Sequence, residues 1–284
     1  MILKAYRQHF KESLSNLYPN TEIDSFFFLL TEEFLGLQRI DVSLQSNLQL
    51  NVKQLEHLNS ALERLRKEEP IQYILEKTVF YGLPFSVNKN VLIPRPETEE
   101  LVEWVLKDIS LSTRSKTLEI IDIGTGSGCI PITIAKNLSE ANVSAIDICQ
   151  EALSVAKKNA KINEVAVDFI QTDILNVDRL PQKYDIIISN PPYVRELEKM
   201  EIKNNVLENE PHLALFVEDT NPLLFYDKIA DLTFDSLVKN GTLYFEINQY
   251  LGKETVDLLS KKGFSHIELR KDLFGNDRMI KASL

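Results

Sequence analysis

The sequence predicts an α/β protein: a mostly parallel sheet with helices on both faces, preceded by a small N-terminal helical domain and a β-hairpin connector. Three observations carry this. Residues 1–68 show apolar positions at helical spacing and no glycine-rich turn. The runs 118–123 and 184–189 are short, apolar and of strand length; the first opens into a glycine-rich turn and the second into Asn-Pro-Pro. From residue 96 onward such runs alternate with helical patterns, as in sheets whose strands are joined by helical crossovers. The chain of 284 residues thus divides into a helical domain (1–68), a connector (69–95) and an α/β domain (96–284).

In chain order, the helical stripes are Leu14 and Leu17; Phe26, Leu29, Leu30, Phe34 and Leu37; and Leu55, Leu58, Leu62 and Leu65. They build a small bundle, either a structural element or a surface that docks a protein substrate. Val79-Phe80-Tyr81, a turn at Gly82, Phe85-Ser86-Val87, a turn near Asn88-Lys89-Asn90 and Val91-Leu92-Ile93 suggest the hairpin connector. Strands follow at 118–123, 142–147, 167–172 and 184–189, with late strands at 241–247 and 278–280. Residues 194–221 are charged, amide-rich and weakly periodic, a long segment that is either a lid beside a site or a solvated excursion.

Two motifs carry chemistry. The strand 118–123 opens into Gly124-Thr125-Gly126-Ser127-Gly128, and helical spacing resumes at Ile130, Ile134 and Leu138. Such glycines admit positive φ and close backbone approach at a helix N-terminus, the makings of a nucleotide-binding turn or, failing a ligand, a plain tight turn. The spacing G-x-G-x-G is not that of nicotinamide enzymes, and no Gly-Lys-Ser/Thr follows to cradle a triphosphate. Asp122 precedes the turn, which suits a cationic ligand better than a pyrophosphate, and S-adenosylmethionine carries both a sulfonium and an ammonium. Asp147 ends the next strand about twenty residues on, the spacing at which a carboxylate reaches ribose hydroxyls. Asp173 ends the one after that.

The second motif is Asn190-Pro191-Pro192-Tyr193, directly after the strand 184–189. Prolines lack the N–H and hold φ near −65°, so the chain leaves the sheet stiffly and offers acceptors only. The Asn190 side-chain oxygen and the Pro191 carbonyl suit a flat –NH2 group whose lone pair must be aimed at an electrophile. Tyr193 would hold that group by stacking, or else simply packs at the strand end.

These residues make the chain resemble class I S-adenosylmethionine-dependent methyltransferases, and in detail the PrmC/HemK family. The resemblance covers nearly the whole chain: Glu69-Pro70-Ile71-Gln72-Tyr73-Ile74, Phe80-Tyr81-Gly82-Leu83, Leu92-Ile93-Pro94-Arg95-Pro96-Glu97-Thr98-Glu99, Glu210-Pro211, and Asp272-Leu273-Phe274-Gly275-Asn276-Asp277-Arg278. The family pattern often has an aromatic before Glu210-Pro211, where this chain has Asn209. The resemblance implies a Rossmann-like methyltransferase fold and transfer of methyl from S-adenosylmethionine to the side-chain amide nitrogen (N5) of the glutamine in the Gly-Gly-Gln motif of peptide chain release factors. It places Asn190, Pro191, Pro192 and Tyr193 at the reacting amide. Gly124, Thr125, Gly126, Ser127, Gly128, Asp147, Asp173 and Asn190 would surround the cofactor, with Gly124–Gly128 around its methionine part and Asp173 near the adenine amino group. Arg95, Pro96 and Glu97 would border the pocket, Arg95 either touching ligand or pinning the connector.

Composition sets the remaining bounds. Hydrophobic residues make up 44% of the chain and the net charge is −10, which repels polyphosphates and counts against nucleic acid. Methylation of nucleic-acid amino groups, of a ribosomal-protein glutamine, or a non-enzymatic cofactor-binding role are the alternatives. Cys129 and Cys149 form no C-x-x-C and read as reduced core residues; His9, His57, His212 and His266 show no metal-ligand spacing, so no metal is expected. The run Phe26–Leu30 is too short to span a bilayer and no signal-peptide pattern opens the chain, predicting a soluble, cytoplasmic monomer without membrane contact.

Overall fold

The computed structural model describes residues 1–111 and 117–284. They divide into two compact units: Met1–Glu76 with Lys203–Asn209, and Lys77–Ile202 with Glu210–Leu284.

The first unit is helical. It contains α1 (Leu3–Leu14), α2 (Asn20–Leu35), α3 (Arg39–Leu44), α4 (Val52–Leu65) and α5 (Ile71–Leu75). Each long helix buries one stripe: Leu3, Tyr6, Phe10 and Leu14 on α1; Ile23, Phe26, Phe27 and Leu30 on α2; Leu58, Ala61, Leu62 and Leu65 on α4. Phe10 and Phe27 meet edge-on at 5.4 Å between ring centres. Two expected core positions lie on the surface instead. Leu17 falls beyond the last turn of α1, and Leu29 lies off the Ile23-Phe26-Phe27-Leu30 stripe, which returns at three- and four-residue steps. α2 stops at Gly36, whose φ of 66° lets its N–H close onto the Glu32 and Thr31 carbonyls. α4 starts at Asn51, which trades hydrogen bonds with Gln54 in a capping box.

The second unit opens with the hairpin β1 (Lys77–Phe80) and β2 (Leu83–Ser86). Its turn residues Tyr81 and Gly82 both have positive φ, 50° and 74°, the geometry that matches the twist of a two-residue hairpin. Val91-Leu92-Ile93 forms no strand; Val91 and Ile93 are buried there, and Ile93 spends its N–H on the Glu210 carboxylate rather than on a ladder. The sheet elements follow: α6 (Pro96–Ser110), β3 (Glu119–Ile123), α7 (Cys129–Asn137), β4 (Asn142–Asp147), α8 (Gln150–Ile162), β5 (Asp168–Gln171) and β6 (Tyr184–Ser189). Residues 194–221 resolve into short pieces. β7 (Val194–Arg195) pairs in parallel with β8 (Phe216–Val217), 3-10 turns flank them, and α9 (Asn204–Leu207) belongs to the first unit. α10 (Leu224–Ser236), β9 (Leu237–Glu246), α11 (Gly252–Lys261), β10 (Ser265–Lys271) and β11 (Asp277–Ser283) complete the unit.

The seven strands run in the order β10-β11-β9-β6-β3-β4-β5, parallel from β9 through β5, with β11 antiparallel to both its neighbours. β3 and β6 are buried on both faces, which is why they read as unbroken apolar runs. One core fills each face: Ile121, Ile187, Tyr226, Ile229 and Phe245 on one, Val102, Trp104, Ile132, Ile186 and Tyr244 on the other. The chain winds outward from β3 through β4 to β5, then restarts at β6 on the other side. That reversal opens a crevice at the carboxyl ends of β3 and β6, where such sheets bind ligands.

Candidate active site

Strand register brings the site together. Ile123 pairs with Ile146 on one side and Ser189 on the other, and Ser189 pairs with Phe245. The next residues along, Gly124, Asp147, Asn190 and Glu246, therefore lie together at the carboxyl edge of the sheet. Above that edge lies a cavity of about 360 Å³. Gly124, Thr125, Gly126, Ser127, Asp147, Asp173, Asn190, Pro191 and Pro192 all line it, as do Arg95 and Thr98. Gly128 and Tyr193 are not on its wall.

The glycine turn is shaped by particular demands. Gly126, at φ 54°, faces open space where a side chain would otherwise protrude. At Gly128 a Cβ would lie 2.9 Å from Ile132 Cδ1 and 3.0 Å from Ala156 Cβ, so this glycine serves the packing of α7 on α8 rather than ligand contact. Gly124 and Thr125 donate their N–H groups to the Ile146 carbonyl. Buried Asn159 ties the same turn to the hairpin, donating to the carbonyls of Ser127 and Ser86 and accepting from the Ser86 N–H.

Three carboxylates face or back this turn. Asp147 accepts the Gly126 N–H at 2.7 Å and the Cys149 N–H at 2.9 Å; burial raises its pKa, opposed by those backbone donors. Each oxygen has one amide, leaving lone pairs for hydroxyl donors from a ligand. Asp173 accepts the Leu175 N–H and the Asn176 amide at the start of a 3-10 turn, so it braces the wall that it lines. Asp122 is buried with neither oxygen hydrogen-bonded, and the hydroxyl of adjacent Thr125 is equally unpartnered. Burial pushes the Asp122 carboxyl up to about 7, with the Asp147 charge adding to the rise. Cys149 is free, as is Cys129, yet it stands half-buried on the cavity wall and not in the core.

Asn190 donates its Nδ2 to Thr98 Oγ1 at 3.3 Å. Thr98 donates its hydroxyl to Glu246 Oε2 at 2.6 Å, and Tyr193 donates its own to Glu246 Oε1 at 3.0 Å. Glu246 is 1% exposed; burial raises its pKa, offset by the Thr98 hydroxyl, the Arg278 charge and Tyr193. The Tyr193 ring packs on the core of the α10 face, with the Glu246 carboxylate at its hydroxyl end and the phenol pKa raised by burial. Arg95 pairs with Glu210 Oε1 at 2.5 Å while Glu210 Oε2 takes the Ile93 N–H, so Arg95 pins the connector and lines the cavity at once. Thr98 and Glu246 escape sequence reasoning because one is hidden in the first turn of α6 and the other ends an apolar strand. An acid at a strand's carboxyl end, beside Asn190 in register, was the available signal.

Residues 5–75 match the family model for the PrmC N-terminal domain, and residues 104–214 match that for the methyltransferase small domain. A release factor glutamine methyltransferase of Flavobacterium psychrophilum is 55% identical over 283 residues, covering 100% of this chain and 99% of the relative. One from Bacteroides thetaiotaomicron is 41% identical over 97% of this chain and 98% of its own. The chain belongs to the release factor glutamine methyltransferase family. Among solved structures, the hMettl16 catalytic domain aligns with TM-score 0.54 at 15% identity over 83% of this chain and 86% of that one. The Thermus thermophilus 16S rRNA methyltransferase RsmC aligns at 0.53 and 16% identity over 73% and 49%. At such identity these likenesses concern the fold alone, a Rossmann-like methyltransferase sheet.

S-adenosylmethionine is the cofactor of this family, and the cavity fits it. A buried carboxylate without a partner behind the glycine turn is what a ligand carrying an ammonium would neutralise. Asp147 has acceptor capacity left for ribose hydroxyls, and Gly126 leaves the space that a Cβ would fill. Among the described residues no cluster of His, Cys, Asp or Glu is placed to hold a metal, and no helix is long and apolar enough to cross a membrane.

Proposed function

We propose that this chain transfers a methyl group from S-adenosylmethionine to the side-chain amide nitrogen of a glutamine in peptide chain release factors. The observation that supports the chemistry is the state of Asn190: its amide N–H2 is tied to Thr98, and its Oδ1 has no partner among the described residues. An acceptor is thereby presented at the cavity beside a Pro-Pro turn that has carbonyls and no N–H to offer.

Bound S-adenosylmethionine supplies an electrophilic methyl group on a sulfonium sulfur. The chain's own part is to make a poor nucleophile react. A carboxamide lone pair is delocalised, and the carboxylates on the wall, Asp147 and Asp173, are committed to backbone and amide donors at the cofactor end. Positioning must therefore supply the rate. Asn190 Oδ1 and the Pro191 carbonyl each accept one hydrogen of the substrate –NH2, fixing the direction of its lone pair and stabilising the positive charge that grows on nitrogen. Orientation of this kind is worth up to ~7–11 kcal/mol, enough to matter for an amide. Methylation destroys amide resonance in part, so the N-methylated cation is a strong acid and gives its proton to water.

Asp147 holds ribose hydroxyls, Asp122, buried behind the wall residue Thr125, supplies a counter-charge to the ammonium, and Asp173 borders the adenine. Tyr193, off the wall, serves by bracing Glu246. The net charge of −10 argues for a protein substrate over a nucleic acid. A glutamine displayed on a folded protein needs a second contact surface, and the helical unit, with exposed Ile40, Leu44 and Val52, is assigned that docking role. The test is to incubate the protein with labelled S-adenosylmethionine and, in parallel, release factor, ribosomal protein and nucleic acid. Label on the release factor alone supports the proposal; label elsewhere with none on the release factor refutes it.

A further inference from the structure

We propose that Thr98 and Glu246 are positioning residues: they form a hydrogen-bond relay whose fixed polarity decides which end of the Asn190 amide faces the substrate. The inference rests on the glutamine-methylating role of Asn190 proposed above.

An asparagine side chain has two ends of nearly equal shape and opposite hydrogen-bonding sense. Turned one way, Asn190 offers an oxygen to the substrate –NH2. Turned the other way, it offers a second –NH2, which repels the first and aims nothing. Shape alone does not choose between these, so a neighbour of fixed sense must.

That neighbour is Thr98. It has one proton and two lone pairs. An ionised carboxylate can only accept, so at 2.6 Å from Glu246 Oε2 the Thr98 proton is spent on Glu246. Toward Asn190 the Thr98 oxygen can then only accept, and Asn190 must present Nδ2 to it, as observed at 3.3 Å. The Oδ1 is left for the cavity. Tyr193 acts on the far side of the same carboxylate: its hydroxyl donates to Glu246 Oε1, which keeps Oε2 turned to Thr98. Burial raises the Glu246 pKa, and against it the Thr98 hydroxyl, the Arg278 charge and the Tyr193 hydroxyl all favour the ionised, acceptor-only form; Arg278 is itself held by Asp272 and the Ile247 carbonyl.

The geometry follows from the fold. Glu246 is the residue after Phe245, which pairs with Ser189, the residue before Asn190. Thr98 sits in the first turn of α6, two residues after its opening Pro96. The relay thus spans three elements and is buried: Thr98 is 3% and Glu246 1% exposed.

The test uses the full chain and three variants, Thr98→Val, Thr98→Ser and Glu246→Gln. Valine keeps the shape of threonine and removes the relay oxygen; serine keeps the oxygen and its proton. Glutamine can donate as well as accept, so it no longer dictates which way Thr98 points. Two readouts are taken. The first needs no turnover: side-chain amide signals of Asn190 in 15N-labelled protein, assigned by their loss in Asn190→Ala. One Asn190 amide proton should show hydrogen bonding in the wild type and in Thr98→Ser, and lose it in Thr98→Val. The second is kinetics on a glutamine peptide. Since misplacing a reacting group by about 1 Å can cost ~10²-fold, Thr98→Val and Glu246→Gln should lower kcat by about that factor. S-adenosylhomocysteine affinity and KM for cofactor should stay within about threefold, because the loss concerns orientation and not cofactor binding. Thr98→Ser should keep kcat within about threefold of wild type. An Asn190 amide signal unchanged in Thr98→Val, a Thr98→Val turnover near wild type, or a Thr98→Ser as slow as Thr98→Val would overturn the relay. A wild type that leaves the glutamine unmodified overturns the functional proposal instead, and the amide signals still decide the relay.

Discussion

Replacing Asp122 by Asn should stabilise the ligand-free protein at pH 8 while weakening its hold on S-adenosylmethionine. Asp122 is 1% exposed and neither of its oxygens is hydrogen-bonded, so ionising it in place is costly. Its carboxyl rises from an ordinary 3.8 to about 7 in the folded chain. The sign follows: below about 4 the group is protonated whether folded or unfolded, and it costs nothing. Between about 4 and 7 the unfolded chain releases the proton that the native state keeps, so stability falls as pH rises, and above 7 the full penalty applies. A gap of about three pH units at ~1.4 kcal/mol each gives a penalty near 4 kcal/mol as an upper figure. The amide that replaces it is also buried and unpaired, costing about 1–3 kcal/mol, so the net gain at pH 8 should be about 1–3 kcal/mol and should vanish or reverse near pH 5. Urea unfolding of both proteins across pH 5 to 8 measures the difference directly. Calorimetry should show affinity for S-adenosylmethionine reduced about tenfold or more, since the ligand's ammonium loses a buried counter-charge. A stability difference that does not change with pH would refute the assignment of the penalty to Asp122, and unchanged affinity would remove it from the ammonium's neighbourhood.

Three further outcomes are expected. Asp147→Ala removes a carboxylate worth ~1.5–3 kcal/mol per charged hydrogen bond, and should weaken cofactor binding at least tenfold in calorimetry with the protein still folded. Asn190→Ala should lower kcat by ~10²–10³ while cofactor affinity stays within a few-fold, and a variant at a tenth of the normal rate or better would end the acceptor role. Ile40→Glu with Leu44→Glu, both exposed and one turn apart on α3, should raise KM for intact release factor and leave a short glutamine peptide unaffected; equal KM values for both substrates would return that face to a purely structural role.

Most of the sheet was legible because its strands are buried on both faces. The strand expected at 142–147 is the strand observed, Asn142–Asp147, and that expected at 184–189 is Tyr184–Ser189. β10 was not legible: Ser265–Lys271 is an edge strand with charged and exposed positions, and it carries neither a continuous apolar run nor a clean alternation. Leu17 and Leu29 misled because leucines three residues apart fit several stripes, and only the helix end and the packed face decide which is used. The acceptors and glycines of the site were legible as motifs. The relay behind them was not, since Thr98 and Glu246 are 148 residues apart and meet only where α6 packs on β9, whose register with β6 sets Glu246 beside Asn190.

The most direct test of the whole account is mass spectrometry of release factor after incubation with this protein and S-adenosylmethionine. Fragmentation should locate one added methyl on a single glutamine side chain, and the Asn190→Ala protein run in parallel should leave that glutamine unmodified. A methyl on any other residue type, or an Asn190→Ala protein that modifies the glutamine as fast as wild type, would contradict it.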